Sequence, residues 1–132
     1  PYEIYVEEGG LGFMSSFSRI GSVWSGAHGF INTVCRDEWG FKGVVITDWI
    51  NPNLMPVNMG IRGGNDLWLL KNTISGAGRL TTETPNDAII LLKEAAHHIL
   101  YVCAKSNCVW TEEEYHDLGV NVDFSQMGYD NI

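Results

Sequence analysis

Apolar positions along the chain alternate between two rhythms. Residues 11–17 (LGFMSSF), 43–48 (GVVITD) and 67–70 (LWLL) carry short, nearly continuous apolar runs, as expected of strands covered on both faces. Between and after them, apolar residues return at three- and four-residue steps. Ala27, Phe30, Ile31, Val34 and Cys35 predict a one-faced helix, with Ser25 as its N-cap and Gly40 as its terminator. Asn51 and Pro52 open a short helix reaching Ile61. Thr84, Pro85 and Asp87 open a long one, whose face is expected to hold Ala88, Leu92, Ala96, Ile99 and Cys103, widened by Ile89 and Leu100. The opening PYEIYVEEGG reads as the end of a helix closed by Gly9 and Gly10.

The order is helix, strand, helix, strand, short helix, strand, long helix. Repeated strand and helix units predict parallel strands covered by helices. The expected fold is therefore α/β: a portion of a TIM-type barrel with about three parallel strands over residues 1–107. An independent three-stranded sandwich is the alternative. Three parallel strands leave an open edge that must be covered, so the remaining barrel, in the same or a separate chain, or an oligomer, is the expected protein partner. Residues 111–132 hold six acids and no Lys or Arg, and 108–132 read as an acidic tail or connector.

Composition narrows the partners. With 132 residues there is room for one hydrophobic core. A formal charge of -8 and eight scattered Lys and Arg argue against a nucleic-acid binder, which needs a basic footprint. No apolar run approaches the roughly 20 residues that span a bilayer, so no membrane partner is expected. Three cysteines, Cys35, Cys103 and Cys108, are too few for a disulfide framework; reduced structural thiols are expected, with the cytoplasm as the default compartment and secretion left open. His97 and His98 are adjacent on the long helix and diverge, unlike the i,i+4 pair of a helical zinc site. GIRGGND lacks the strand, glycine fingerprint and helix of a dinucleotide site. No metal and no cofactor are expected.

Candidate chemistry gathers where the strands end, the reactive face of a parallel barrel. Asp48 closes its strand there, whereas Asp66 precedes the apolar residues of its own and belongs at the opposite, stabilising face. An ionised carboxylate at a strand mouth can act as a nucleophile; Asp48 can equally be a turn cap. Trp49 and Trp24 can wall the apolar face of a sugar or serve as core residues. Arg19 can bind hydroxyls or hold Asp48 charged. Met14 and Ser16 end the first strand beside the point where Asp48 emerges. His28 reads as a loop anchor or a sugar contact.

The segments GFMSSFSRIGSVWSG, CRDEWGFKGVVITDW and GIRGGNDLWLL resemble, in order and spacing, the closing part of the catalytic barrel of family 3 glycoside hydrolases, which include many β-glucosidases. LLKEAAHHILYVCAKSN resembles the long closing helix of members with swapped domain order. The resemblance implies a retaining hydrolase of β-linked glycosides or oligosaccharides, with Asp48 as nucleophile, Trp49 facing the sugar and Met14–Ser16 near the glycone site. It also implies a double displacement that needs a second carboxylic acid. Glu38, late in a helix, and Glu83, before one, are poor substitutes for that acid, so the chain alone is expected to be inactive or nearly so. A non-catalytic half-barrel assembly unit and a carbohydrate-binding module using Trp24 and Trp49 are the other readings.

Overall fold

In the computed structural model the described residues are 1–49, 55–69 and 86–106. By packing the chain divides into two compact units, Pro1–Val102 and Cys103–Ile132; the architecture below belongs to the first. The expected openings at Asn51–Pro52 and Thr84–Pro85, and the 108–132 tail, lie outside the described residues.

The fold is α/β. A first helix, α1 (Tyr2–Glu7), leads into β1 (Gly12–Ser15). Two short strands, β2 (Arg19–Ile20) and β3 (Val23–Trp24), come next. A 3-10 turn over Ser25–Ala27 and a π-helix over Phe30–Glu38 follow. Then come β4 (Val44–Trp49), α2 (Val57–Arg62), β5 (Leu67–Leu69) and α3 (Asn86–Lys105). Strands β1, β4 and β5 form a parallel sheet in the order β1-β4-β5, with Gly12 beside Val44 and Ser15 beside Thr47. All three strands therefore end at the same edge.

The helix side of the sheet holds the core. Val45 packs there with Ile31, Cys35 and Phe41, flanked by Phe13, Val6 and Trp39. Aromatic rings bind α1 to this layer, with Tyr5 5.1 Å from Phe13 and Phe13 4.6 Å from Phe41 between centroids. The other side of the sheet stays uncovered among the described residues: Met14 is 66% exposed, and Leu67 and Leu69 about as exposed as surface residues. The continuous apolar strands predicted two covered faces, and only one is covered here.

Two local expectations are corrected, and a hairpin that the apolar pattern does not predict is added. The stretch RIGSVW is a β-hairpin, with Arg19 paired to Trp24 and Ile20 to Val23, turning through Gly21 at φ +62. A two-residue Gly-Ser loop of this kind fits the right-handed strand twist. The predicted helix begins at Phe30 rather than after Ser25, and its backbone is wound wider than an α-helix, as in the Trp39 N–H bond to the Val34 carbonyl. His28 holds its start, with Nδ1 accepting the Phe30 N–H at 3.1 Å. Helix α3 buries Ala95, with Leu91 and His98 half-buried on the same turn spacing, while Leu92, Ile89 and Leu100 are exposed. Its inner face is thus rotated from the predicted one at Leu92 and Ala96, while Ile99 and Cys103 are half-buried as predicted.

The end of α2 lies so close to the 3-10 turn that only glycine fits at 63. A Cβ there would stand 2.3 Å from the Gly26 carbonyl oxygen and 2.7 Å from Ala27 Cα, both backbone atoms. Gly63→Ala is expected to destabilise the chain by about 1–3 kcal/mol through overpacking, read as a lower urea midpoint by circular dichroism.

Candidate active site

Ser15 and Thr47 are the last pair between β1 and β4; β1 ends there while β4 runs on through Asp48 to Trp49, so Ser16 and Asp48 lie at the same end of the sheet. Beyond that edge the chain folds into the β2–β3 hairpin, whose base is closed by serines. Ser16 Oγ lies 2.5 Å from Ser18 Oγ and 2.9 Å from Ser25 Oγ. Ser25 Oγ donates to the Ser16 carbonyl at 2.6 Å, and the Ser25 N–H donates to the Ser18 carbonyl. Ser25 was expected to cap a helix; instead it fastens the hairpin.

On the hairpin, the Arg19 guanidinium carbon sits 3.9 Å from the centre of the Trp24 ring, and Nη1 donates to the Ser22 carbonyl at 2.7 Å. Arg19 and Trp24 are therefore brought together, each using the other's face. Arg19 forms no ion pair with Asp48 among the described residues. The Asp48 carboxylate is half-buried and its Oδ1 accepts the Trp49 N–H at 2.6 Å. The Trp49 ring is 52% exposed at the mouth.

A largely apolar cleft of about 340 Å³ opens beside β1, lined by Tyr2, Phe13, Met14, Ser16, Phe30 and Cys35 among others. It takes in Met14 and Ser16 but not Asp48. Burial pushes the Cys35 thiol up from its ordinary value, with the adjacent Arg36 charge pulling the other way. A thiol held protonated in this way is a packing group rather than a nucleophile.

Asp66 is treated very differently. It sits at the start of β5, where its N–H donates to the Val45 carbonyl. Its Oδ2 accepts from Arg36 Nη2 and from the Val45 N–H, both at 2.7 Å, and its Oδ1 lies 2.8 Å from His98 Nδ1. These groups border a polar cleft of about 350 Å³ with Asn32, Asn65 and Glu94. Here the π-helix, two strands and α3 meet, and the carboxylate is fully committed to joining them.

Sequence reasoning missed two residues. Asn65, 1% exposed, donates to the carbonyls of Gly26 and Gly60 and accepts from Ser15 Oγ. Thr47, fully buried, accepts the Leu69 N–H at 3.1 Å. The only sequence signal for either is a polar residue at a position that alternation makes internal.

No family model matches the chain. β-Glucosidase B of Emericella nidulans is 27% identical over 118 residues, which cover 82% of this chain and 13% of that protein. A β-glucosidase of Rhizobium radiobacter is 37% identical over 51 residues, 37% of this chain and 6% of that protein. The chain is similar to glycosidases. An exo-α-(1→6)-L-arabinopyranosidase of Bifidobacterium breve adds 49% identity over 37 residues, 27% of this chain and 5% of that enzyme. The matched stretch thus spans 13% or less of the length of each of these curated relatives.

Proposed function

We propose that the chain is a portion of a retaining β-glycosidase of family 3, in which Asp48 is the nucleophile. The observation that carries this reading is the contrast between the two strand-associated aspartates. Asp66 is spent on Arg36, Val45 and His98, while Asp48 stands at the strand mouth with no cation paired to it among the described residues. A carboxylate that is to attack an anomeric carbon must keep a lone pair available, and a guanidinium clamp would lower its nucleophilicity. The similarity to β-glucosidases supplies the substrate class, β-linked glycosides.

In this reading Asp48 attacks the anomeric carbon from the face opposite the leaving oxygen, giving a glycosyl-enzyme. A second carboxyl group about 5–5.5 Å away protonates the leaving oxygen and then removes a proton from the water that releases the sugar. Glu38 does not supply that acid. It is exposed in the last turn of the π-helix, which feeds the start of β4, at the end of the sheet away from Asp48. Trp49 offers its exposed ring to the sugar's apolar face, and Met14, Ser16, Arg19 and Trp24 flank the same edge.

The test is hydrolysis of 4-nitrophenyl β-glucoside by the chain alone and by the chain combined with the rest of the barrel. The chain alone is expected to stay at the buffer rate, because nucleophile, acid and hydroxyl-binding groups work as a unit. The combination is expected to turn over and, with a 2-deoxy-2-fluoro glucoside, to carry a covalent sugar on the peptide containing Asp48. Turnover by the chain alone that survives Asp48→Ala would overturn the assignment.

The uncovered sheet face favours a second reading as an assembly unit. Met14, Trp49, Leu67 and Leu69 together expose apolar surface that a further copy or another polypeptide would bury.

A further inference from the structure

The register between β4 and β5 slips just before Asp48. Ile46 lies opposite Leu67 and Trp49 opposite Leu69, so Thr47 and Asp48 together face the single residue Trp68. This is the count of a β-bulge, which bends its strand and re-aims the side chains beside it. Strict alternation would put Asp48, not Trp49, opposite Leu69.

A bulge disrupts the ladder locally, and a buried N–H left without an acceptor is costly. The Leu69 N–H is satisfied by the Thr47 side chain, whose Oγ1 accepts it at 3.1 Å. Thr47 is fully buried, and on its other flank β1 pairs it with Ser15. It is therefore fixed from both neighbouring strands. The Asp48 carboxylate has no comparable tether: its one polar contact among the described residues is the N–H of the very next residue.

We infer that Thr47 is the positioning residue of the site: its hydroxyl holds the β4 bulge open to β5 and so sets the direction in which the Asp48 carboxylate leaves the strand. Thr47 itself touches no substrate. The inference rests on the glycosidase reading for its consequence on rate, but the tether is a property of the chain and is tested without activity.

The first measurement is hydrogen exchange of the Leu69 amide by NMR in the chain itself. The tether predicts slow exchange; an amide exchanging as fast as those of exposed loops would overturn the inference. Thr47→Val keeps shape and β-branching but removes the acceptor. It is expected to speed Leu69 exchange about 5- to 10-fold, the scale of one hydrogen bond, and to move the Asp48 carboxyl carbon resonance. Thr47→Ser restores both. Uniformly faster exchange along all three strands, or an unmoved Asp48 signal, would reduce Thr47 to a packing residue and overturn its positioning role.

In the preparation combined with the rest of the barrel, Thr47→Val is expected to lower kcat about 10- to 100-fold, the cost of a small misplacement of a reacting group. KM should change little, and Thr47→Ser should recover most of the loss. An equal rise in KM without loss of kcat would overturn the role. Turnover surviving Asp48→Ala while Leu69 exchange still responds to Thr47→Val would overturn the glycosidase reading and leave the tether standing.

Discussion

Asp48→Ala, in the chain combined with the rest of the barrel, is expected to lower hydrolysis of an activated aryl β-glucoside by on the order of 10⁴- to 10⁶-fold, the range seen when a nucleophile is removed from a hydrolase whose other groups remain. The loss should fall on kcat, since the carboxylate forms its bond only on the way to the transition state. The substitution removes no buried partner: the carboxylate's contact is the adjacent Trp49 N–H, so the fold should hold. That contrast makes azide a useful probe. A small anion can enter the space left by the carboxylate and attack the same carbon, so azide should restore turnover and yield a glucosyl azide inverted at the anomeric centre. Loss of activity with no azide rescue and a lowered melting temperature would mean that Asp48 is structural. Product analysis by NMR and a thermal melt decide between these outcomes.

The placement of the two aspartates was open to sequence reading because chain direction fixes which end of a parallel sheet a residue reaches. The run GVVITD ends on its acid, while the acid of GGNDLWLL precedes its apolar residues. Once the strands are parallel, those two orders place Asp48 and Asp66 at opposite ends, and the buried ties of Asp66 fit the stabilising end. The positions of β1, β4 and β5 were equally legible from their nearly continuous apolar runs.

What escaped depended on partners distant in sequence. Apolar periodicity puts Leu92 and Ala96 on the inner face of α3 and does not place His98 there. In the fold His98 turns inward because Asp66 waits 2.8 Å from its ring, and the helix rotates to bring Leu91 and Ala95 with it. Serine is a good capping residue, which points to a helix start after Ser25. The hairpin base competed for that hydroxyl and won, leaving His28 to take the Phe30 N–H. The hairpin did carry a local signal, Gly-Ser between two β-prone dipeptides, hidden by its strands of only two residues. The bulge at Thr47 had none, since a register shift is a property of two strands and neither sequence states it.

The largest expected loss of stability comes from Asp66→Ala. The Arg36 and Asp66 side chains are 11% and 3% exposed, so their ion pair is shielded from water and salt. Removing the carboxylate leaves the guanidinium where it is, because Nη1 and Nη2 also donate to the Gly43 and Gly64 carbonyls. It strands a buried charge, the Val45 N–H and the His98 ring together. Breaking one partner of a buried pair costs about 3–5 kcal/mol, a large part of the roughly 5–15 kcal/mol that holds a domain folded. The variant is therefore expected to lose most of its cooperative urea transition, followed by tryptophan fluorescence. Asp66→Asn should do less damage. It keeps one acceptor oxygen for Arg36 and Val45, and its amide can donate to a neutral His98. Arg36→Ala combined with Asp66→Ala should be less destabilising than the sum of the two single changes, because the second removal no longer strands a charge. A loss under about 1 kcal/mol for Asp66→Ala, the scale of exposed ion pairs, would mean that solvent reaches the carboxylate and that the junction of the π-helix, β4, β5 and α3 is held by apolar packing instead.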